Sequence, residues 1–518
     1  MTPRTEPVNN TADCWWKDPC LRRNVAHIVI CYLAIYSLGY DGSLLNGIQA
    51  LPTWNRDFGS PAGYSLGLIA ASYYLPKIVW SPVVAFLNDR FGRKACILVG
   101  AIFMIAGALL GGLCTNISQL IGSRVMLGIG TATSQVAAAT MIPELAHPRL
   151  RHICGSFLLT MFSTGSILAA WLTFAMVFYP DPNSSWAWKI PSLFQGLGPL
   201  LLLSAFWIPE SPRWLIKNGR RDEAHRILAK YHANNVMDDE LVLHEIAEVE
   251  AGLEVEKIND STSWLAFVKT PANRRRLGII VLFGAAAQLA GNGVVQYFLV
   301  PVLRQVGITK PAQTAGINSG LSVWNWLCAI IGALLVERVG RRTLVLFSFA
   351  GMLICFTIVT GLSGGYASTK NPSLGLSIVP FIFLFMGFYS SALTPVPLLY
   401  IPEITPLSIR AKAVGLYLTC TNLFLAFNNF VNPIALAAIG WKYYFVYIGT
   451  LVAAGALFYF FCRETKNLST EEAAMVYEDT ETKAKALEAA QAAEAQLHRI
   501  QRDANQDKLS LHEVENKA

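Results

Sequence analysis

Long apolar blocks separated by short charged turns dominate this sequence. A helix of about 20 apolar residues crosses a hydrocarbon core of ~30 Å, and the chain contains twelve apolar runs of that length. The pattern therefore predicts an all-α membrane protein with twelve transmembrane helices. The runs lie near residues 25–47, 64–87, 95–114, 119–142, 153–178, 188–208, 277–300, 314–336, 343–364, 376–400, 413–436 and 441–462.

A stretch rich in Arg, Lys, Glu and Asp at 209–275 divides the spans into six plus six. It predicts two six-helix bundles joined by a helical loop. Basic residues concentrate in alternate turns, which the positive-inside rule places in the cytoplasm together with both termini. The expected segments are a cytoplasmic N-terminal segment at 1–24, bundles at 25–208 and 276–462, a cytoplasmic loop at 209–275 and a cytoplasmic tail at 463–518.

Composition supports a chain that is solvated mainly by lipid. Hydrophobic residues make up 53% of the 518 positions and charged residues 14%, against about 25% charged in soluble domains. The formal net charge of +7 is then loop charge and indicates no nucleic-acid partner. The ten cysteines are scattered, with no Cys-x-x-Cys pair or Cys/His cluster, so we expect neither a metal site nor a cofactor.

Two charged motifs occur at equivalent positions in the two halves. Asp-Arg-Phe-Gly-Arg-Lys at 89–94 matches Glu-Arg-Val-Gly-Arg-Arg at 337–342, and a Pro-Glu pair followed by Arg occurs after the fourth and the tenth span. Such a repeat predicts a breakable charge network that closes the cytoplasmic face, although plain positive-inside anchoring would also place charge there. The predicted gate residues are Asp89, Arg90, Arg93, Glu144, Arg151, Glu337, Arg338, Arg341, Glu403 and Arg410.

These repeated loops resemble the signature loops of the major facilitator superfamily. Pro-Glu-Ser-Pro-Arg-Trp-Leu at 209–215 and Arg-Glu-Thr-Lys-Asn-Leu at 463–468 resemble motifs of its sugar porters, with Arg463 where the family has Pro. Motifs at 39–47, 291–298 and 427–444 are similar to those of the fungal lactose permease branch. The resemblance implies the two-bundle fold of that superfamily and transport of a sugar, including a disaccharide or a glycoside.

Three ionisable residues interrupt the apolar runs: Asp41, Lys77 and Arg124. Charge inside a membrane is costly by at least ~2.5 kcal/mol, so such residues are candidates for function. Asp41 and Arg124 lie at similar depth and can form a pair that protonation of Asp41 would break. The resemblance implies the same, because proton-coupled sugar porters have an acid in this Gly-Tyr-Asp-Gly motif and an Arg at the equivalent of Arg124. A static ion pair is the alternative.

Lys77 has three interpretations. It can face the central cavity and bind a polar group of the substrate, or pair with Asp41 in competition with Arg124. It can also be held by Tyr73, Tyr74 and backbone carbonyls without any role in transport. Pro76 precedes it and predicts a kink that frees a carbonyl group.

Neutral hydrogen-bonding residues in the second half are candidate sugar ligands, because sugars require many neutral donors and acceptors. Bracing between helices is the alternative use of such buried amides. Leu159, Ala287 and Leu398 occupy positions where the family has polar or aromatic groups, so we expect a more apolar pocket. A carrier of a non-sugar specialised metabolite is therefore the second hypothesis. The candidate ligands are Gln288, Asn292, Tyr297, Asn325 and Asn422, together with Lys77.

No enzyme motif is present, and we do not expect catalysis. A transporter-like nutrient sensor is a third hypothesis, against which the short tail and the retained Asp41 argue. The expected partners are a small-molecule sugar, protons and the lipid bilayer, with the protein a monomer in the plasma membrane. An Asn-x-Ser sequon at 183–185 predicts glycosylation of Asn183 in an outer loop.

Overall fold

The computed structural model describes residues 11, 14–260, 264–468 and 470–478, without the side chains of residues 159, 255, 257–260, 470 and 471. The part of the predicted tail from residue 479 onward lies outside these residues. The described chain is helical almost throughout. Its helices form two bundles of six spans each, numbered here in chain order.

Each bundle contains both continuous and interrupted spans. Spans 1 to 6 are Pro19–Ile48, Tyr64–Ala71 with Leu75–Phe91, Arg93–Leu113, Ile117–Leu145, Pro148–Met176, and Trp186–Phe194 with Leu197–Leu202 and the 3₁₀ turn Leu203–Trp207. Spans 7 to 12 are Pro271–Leu289 with Asn292–Gln305, Pro311–Val339, Arg341–Thr369, Pro372–Ala392 with Val396–Ile404, Leu407–Ile439 and Tyr444–Phe461. The loop between the bundles contains the helices Pro212–Lys217, Arg221–His232, Glu240–Asp260 and Ala266–Lys269, and Thr470–Ala474 follows span 12.

Spans 11 and 12 follow each other with almost no connection. Eleven segments of the described chain are long and apolar enough to cross a membrane, and the last of them, Leu407–Phe461, is 55 residues long. At ~1.5 Å per residue that is about 80 Å, far more than one crossing of a ~30 Å core requires. Gly440, with φ +58°, and the 3₁₀ turn Gly440–Tyr443 break it into two helices. The described chain therefore has the twelve crossings that the sequence predicts.

Four spans that the sequence predicts as continuous are interrupted, namely span 6 at residues 195–196 and spans 2, 7 and 10. Span 2 breaks before Leu75, where Pro76 occupies the first turn of a new helix and supplies no N–H. Span 7 breaks at Gly291, whose φ of +91° suits glycine and few other residues. Span 10 breaks before Val396, next to two prolines. Apolar length predicts a crossing but is insensitive to such local breaks, and the break of span 10 lines the cavity described below through Thr394 and Pro395.

Small residues bring the helices of the first bundle into close contact. A Cβ atom added at Gly130 of span 4 would lie 2.8 Å from the Gly100 carbonyl oxygen of span 3. One added at Gly39 of span 1 would overlap the Phe162 carbonyl of span 5. Lipid provides no hydrophobic force between helices, so close backbone packing of this kind stabilises a bundle.

The face of the molecule that carries 89–94 and 337–342 is called the motif face, and the other the opposite face. On the motif face, Arg93 donates to both carboxylate oxygens of Glu144, at 3.0 and 3.1 Å. Ser211 Oγ donates to Glu144 at 2.5 Å, and Glu210 accepts the backbone N–H groups of Arg93 and Lys94 at 3.1 and 3.2 Å. Glu210 thus lies at the N-terminus of span 3, where the helix dipole favours an anion.

The second bundle repeats this arrangement. Arg341 lies 2.8 Å from Glu403, and Thr465 Oγ1 donates to Glu403 at 2.7 Å. Glu464 accepts the backbone N–H groups of Arg341 and Arg342, at 2.8 and 3.0 Å, at the N-terminus of span 9. The Glu-Ser of the loop after span 6 and the Glu-Thr after span 12 therefore occupy equivalent positions.

We predict that Glu210→Gln and Glu464→Gln each destabilise the protein. An amide keeps the shape of the carboxylate but replaces one acceptor oxygen by an NH₂ group, so some of the three or more backbone N–H groups lose their acceptor. The loss should be about 1–3 kcal/mol, measured as a lower apparent Tm in detergent. Glu223→Gln is the control, because Glu223 is partly exposed and its ion pair is a local one, with Arg220 three residues away. If Glu210→Gln and Glu464→Gln had the same apparent Tm as Glu223→Gln, the proposed role of these two carboxylates would be contradicted.

Candidate transport site

A cavity of about 200 Å³ lies between the two bundles. Spans 1 and 5 of the first bundle and spans 7, 8 and 10 of the second form its walls. Since a buried water needs roughly 10–15 Å³ by this measure, the cavity has room for about a dozen or more waters. Its hydrogen-bonding residues are Ser43, Asn46, Ser156, Thr160, Ser163, Ser166, Gln296, Asn318, Ser322, Asn325, Trp326, Tyr389, Ser390 and Thr394.

The cavity wall has no Asp, Glu, Lys, Arg or His among the described residues. Several of its polar groups have no partner there. The Oδ1 of Asn325 and the Nε1 of Trp326 are buried without a hydrogen bond, at the middle of span 8. Because an unpaired buried polar group costs ~1–3 kcal/mol, these atoms gain from a ligand that bonds to them. The site suits a neutral ligand with many hydroxyl groups.

Hydrogen bonds close the cavity toward the opposite face. Asn46, near the end of span 1, donates to Asn318 Oδ1 at 2.8 Å and to the Gln296 carbonyl at 2.9 Å. Gln49 donates to the Tyr297 carbonyl at 3.1 Å. These bonds join the first bundle to span 7 and span 8 of the second.

Further contacts between the bundles lie on the same side. Ser319 Oγ donates to the Ala170 carbonyl at 2.9 Å, and the rings of Tyr64 and Phe430 pack edge to face at 5.7 Å. The bonds between bundles that the structure describes all lie nearer the opposite face. The cavity instead continues toward the motif face as far as Ser156 and Ala333. This conformation is therefore open to the motif face and closed to the opposite face.

Beside this cavity, Asp41 lies fully buried in span 1. Both of its carboxylate oxygens are buried without a hydrogen-bond partner. Arg124 donates to the backbone carbonyl of Asp41 at 3.2 Å and not to the carboxylate. The expected pair is thus in contact, but its side chains are not joined in this conformation.

Lys77 completes this cluster from span 2. Its Nζ lies 3.7 Å from the centroid of the Tyr73 ring and 5.5 Å from that of Tyr74. The guanidinium carbon of Arg124 lies 5.7 Å from the same Tyr73 ring. Two cations thus lie close to one aromatic ring, which attracts each of them, while their like charges repel each other. Lys77 is 3% exposed and does not line the cavity.

A family model described as "Sugar (and other) transporter" matches residues 27–477. The chain belongs to this family. Its relatives include the MFS-type transporter oryC of Aspergillus oryzae, which is 30% identical over 86% of this chain and 83% of oryC. They also include the low-affinity glucose transporter HXT4 of Saccharomyces cerevisiae, 26% identical over 87% of this chain and 81% of HXT4.

The fold agrees with that of a solved transporter. The inward open conformation of the xylose transporter XylE from E. coli superposes with a TM-score of 0.71, covering 88% of this chain and all of XylE at 22% identity. The chain is therefore a multi-pass membrane transporter with the fold of the major facilitator superfamily, and it is not an enzyme. The predicted family and fold class are confirmed.

For this sugar transporter family member, the structure brings one of the predicted amide ligands to the cavity wall. Asn325 lines the cavity, whereas the other candidates do not. Gln288 is buried with its Oε1 unpartnered, and its carbonyl accepts a bond from Asn428. Asn292 is buried at the break of span 7, and the ring of Tyr297 packs on Tyr74 at 5.9 Å.

Asn422, the remaining candidate, is partly buried in span 11 and does not line the cavity.

The polar face of span 5 was not predicted from the sequence. Ser156, Thr160, Ser163 and Ser166 all line the cavity. Their spacing of three and four residues is that of one helix face, and this periodicity could have identified them.

The predicted gate residues of this transporter contact their own bundle or the loop next to it. Arg93 pairs with Glu144, and Arg341 with Glu403, as described above. Asp89 lies 3.6 Å from Arg93 and 3.3 Å from Lys217. These contacts stiffen each bundle, and none of them joins the two bundles across the motif face.

The other predicted gate residues are less closely tied to this network. Arg151 pairs at 3.3 Å with Glu245 of the loop helix Glu240–Asp260, and not with Glu144. Arg410 donates to the Thr405 carbonyl at 3.4 Å. Arg90, Glu337 and Arg338 are exposed.

We predict that Asn46→Ala shifts the protein toward opening at the opposite face. The change removes two buried bonds between the bundles, worth about 1–2 kcal/mol, so the ratio of the two states should change roughly five- to thirtyfold. A cysteine at Ser163 should react faster with a membrane-impermeant maleimide applied to the opposite face. The same protein with Ser163 intact corrects for the native cysteines.

Asn55→Ala is the matched control for this experiment. The Asn55 amide also lies on the opposite face but bonds only to the carbonyls of Gln49 and Leu51 in its own bundle. Labelling in Asn46→Ala that equals that in Asn55→Ala would show that the Asn46 bonds do not hold the cavity closed.

Proposed function

We propose that this protein transports a neutral sugar, with disaccharides and glycosides as its substrate class, by alternating access coupled to protons. The observation that carries the coupling is the fully buried Asp41 carboxylate, which has no hydrogen-bond partner and lies close to Lys77 and Arg124. The uncharged cavity supports a neutral substrate. One solved relative is described as the proton:xylose symporter XylE, bound to 6-bromo-6-deoxy-D-glucose.

The coupling follows from the charges around Asp41. With Asp41 ionised, Lys77 and Arg124 balance a buried anion that would otherwise be strongly unfavourable. With Asp41 protonated, the two cations face a neutral group and attract span 1 less. Because the three residues belong to spans 1, 2 and 4, proton binding changes the forces among these spans. Protonation can therefore select between the two conformations, which is the requirement for symport.

We predict that Asp41→Asn abolishes uphill accumulation of sugar. The amide has the size of a protonated carboxyl group and cannot release a proton, so exchange or downhill flux should persist. The measurement is uptake of labelled sugar into proteoliposomes with and without a proton gradient. Asp181→Asn is the control, since Asp181 is exposed outside the spans. Undiminished accumulation by Asp41→Asn would refute coupling through this residue.

We further propose that Lys77 acts on Asp41 rather than on the substrate, because its Nζ lies on Tyr73 and away from the cavity wall. Lys77→Met keeps the length of the side chain and removes the charge. The pH dependence of uptake should shift toward higher pH, because a carboxylate that has lost a neighbouring cation binds a proton more readily. Sugar affinity at saturating proton concentration should change less than twofold.

Lys189→Met is the control for Lys77→Met. Lys189 also lies over an aromatic ring, that of Trp188 at 5.7 Å, but on the opposite face. An unchanged pH profile in a normally expressed Lys77→Met protein would make Lys77 structural. A large loss of affinity without a pH shift would instead make it a substrate ligand.

We propose that the motif face is cytoplasmic, that both termini lie there, and that the protein is a monomer in the plasma membrane. Asn183 is exposed on the opposite face, and its carbonyl accepts a bond from Arg56 at 2.7 Å. In a eukaryotic host, deglycosylation should increase the electrophoretic mobility of the wild type and not of Asn183→Gln. A mobility shift that survives Asn183→Gln would place the glycan elsewhere.

A further inference from the structure

The cavity has two levels along the membrane normal. The central level surrounds Asn325, at the middle of span 8. The second, called the mouth level, is formed by Thr160 of span 5, Thr394 at the break of span 10, and Ala329, Ile330 and Ala333 of span 8. These span 8 residues lie four to eight positions from Asn325 toward the motif face, which is ~6–12 Å of helix.

Two hydroxyl groups of the mouth level have no partner in the described chain. Ser and Thr side chains in helices commonly bond to the carbonyl four residues earlier. Thr164 and Thr173 of the same span do so, at 3.0 and 2.9 Å. The hydroxyls of Thr160 and Thr394 make no such bond and line the cavity from opposite bundles. Both are therefore available to a ligand.

The remaining wall of the mouth level is apolar. Ala329, Ile330 and Ala333 form one face of span 8, and no charged residue interrupts it. A ligand that fills only the central level would leave this apolar surface in contact with water. Covering it would lower the free energy by about 25 cal/mol for each Å² removed from water. A second sugar ring could cover this apolar surface with its C–H face. The hydroxyl groups at the edge of that ring could then form hydrogen bonds with Thr160 and Thr394.

We propose that the mouth level is a subsite for the second ring of a disaccharide whose first ring occupies the central level. This inference rests on the proposed function and specifies its substrate. It also assigns Thr160 and Thr394 as residues that determine specificity for two-ring over one-ring sugars. Each bundle contributes one hydroxyl, so the second ring bridges the two bundles in the conformation that is open to the motif face.

The test is equilibrium binding of labelled lactose, maltose, galactose and glucose to the purified protein in detergent. The wild type should bind at least one of the two disaccharides more tightly than its component monosaccharides. Thr160→Val and Thr394→Val should each weaken that binding roughly three- to tenfold, the effect of one neutral hydrogen bond. Binding of the monosaccharides should be unchanged.

Two further variants separate the possible outcomes. Thr164→Val, whose hydroxyl is exposed and bonds to the Thr160 carbonyl, should leave all affinities unchanged. Asn325→Ala should weaken both sugar classes, because it acts at the central level. Equal losses for one-ring and two-ring sugars in Thr160→Val and Thr394→Val would overturn the subsite while the proposed function stands. A wild type that binds none of the four sugars would refute the sugar assignment, and the subsite with it.

Discussion

Inside a membrane, no water is present to satisfy a polar group, and this constraint governs where the chain places its polar side chains. At the motif-face end of span 7, Arg276 shows how a buried charge is usually satisfied: it is fully buried and bonds to the Ile404 carbonyl at 2.9 Å and to Glu478 at 2.8 Å. The Asp41 carboxylate and the Asn325 oxygen lack such partners. Unsatisfied atoms beside a cavity between two bundles are difficult to explain by packing. They are explained if a proton and a hydroxylated ligand supply the missing bonds.

The strength of the contacts also differs within and between the bundles. Within each bundle, the motif face is held by Arg–Glu pairs and by carboxylates on helix N-termini, which are charge-assisted bonds worth about 1.5–3 kcal/mol each. Between the bundles, Asn46, Gln49 and Ser319 make neutral bonds worth about 0.5–1.5 kcal/mol each. Arg304 adds one longer bond from a charged group, to the Gln49 carbonyl at 3.3 Å. Two stiff bodies joined by a few mostly neutral bonds can rotate about the central site without breaking internally. Alternating access requires this distribution of strength.

The length of the apolar runs predicts the twelve spans, because each helix must cross a membrane of fixed thickness. The repeated charged loops predict the grouping of the spans and the family. The breaks in spans 2, 7 and 10 depend on local backbone conformations, as at Gly291, to which run length is insensitive. Asn325 could be identified from its place in the sequence. Thr160 was missed because a hydroxyl in a helix usually bonds to its own backbone, although its spacing from Ser156 and Ser163 marks one polar helix face. Glu210 and Glu464 were missed because their partners are backbone groups.

The central claim is that one protein binds a neutral sugar in this cavity and moves a proton with it. The most direct measurement is the pH inside proteoliposomes that contain the wild-type protein and a trapped pH indicator, with the membrane potential clamped at zero. Adding a transported sugar outside should acidify the lumen at a rate proportional to sugar entry, and the acidification should stop when the sugar gradient is spent. Entry of sugar with no change of luminal pH would contradict the account.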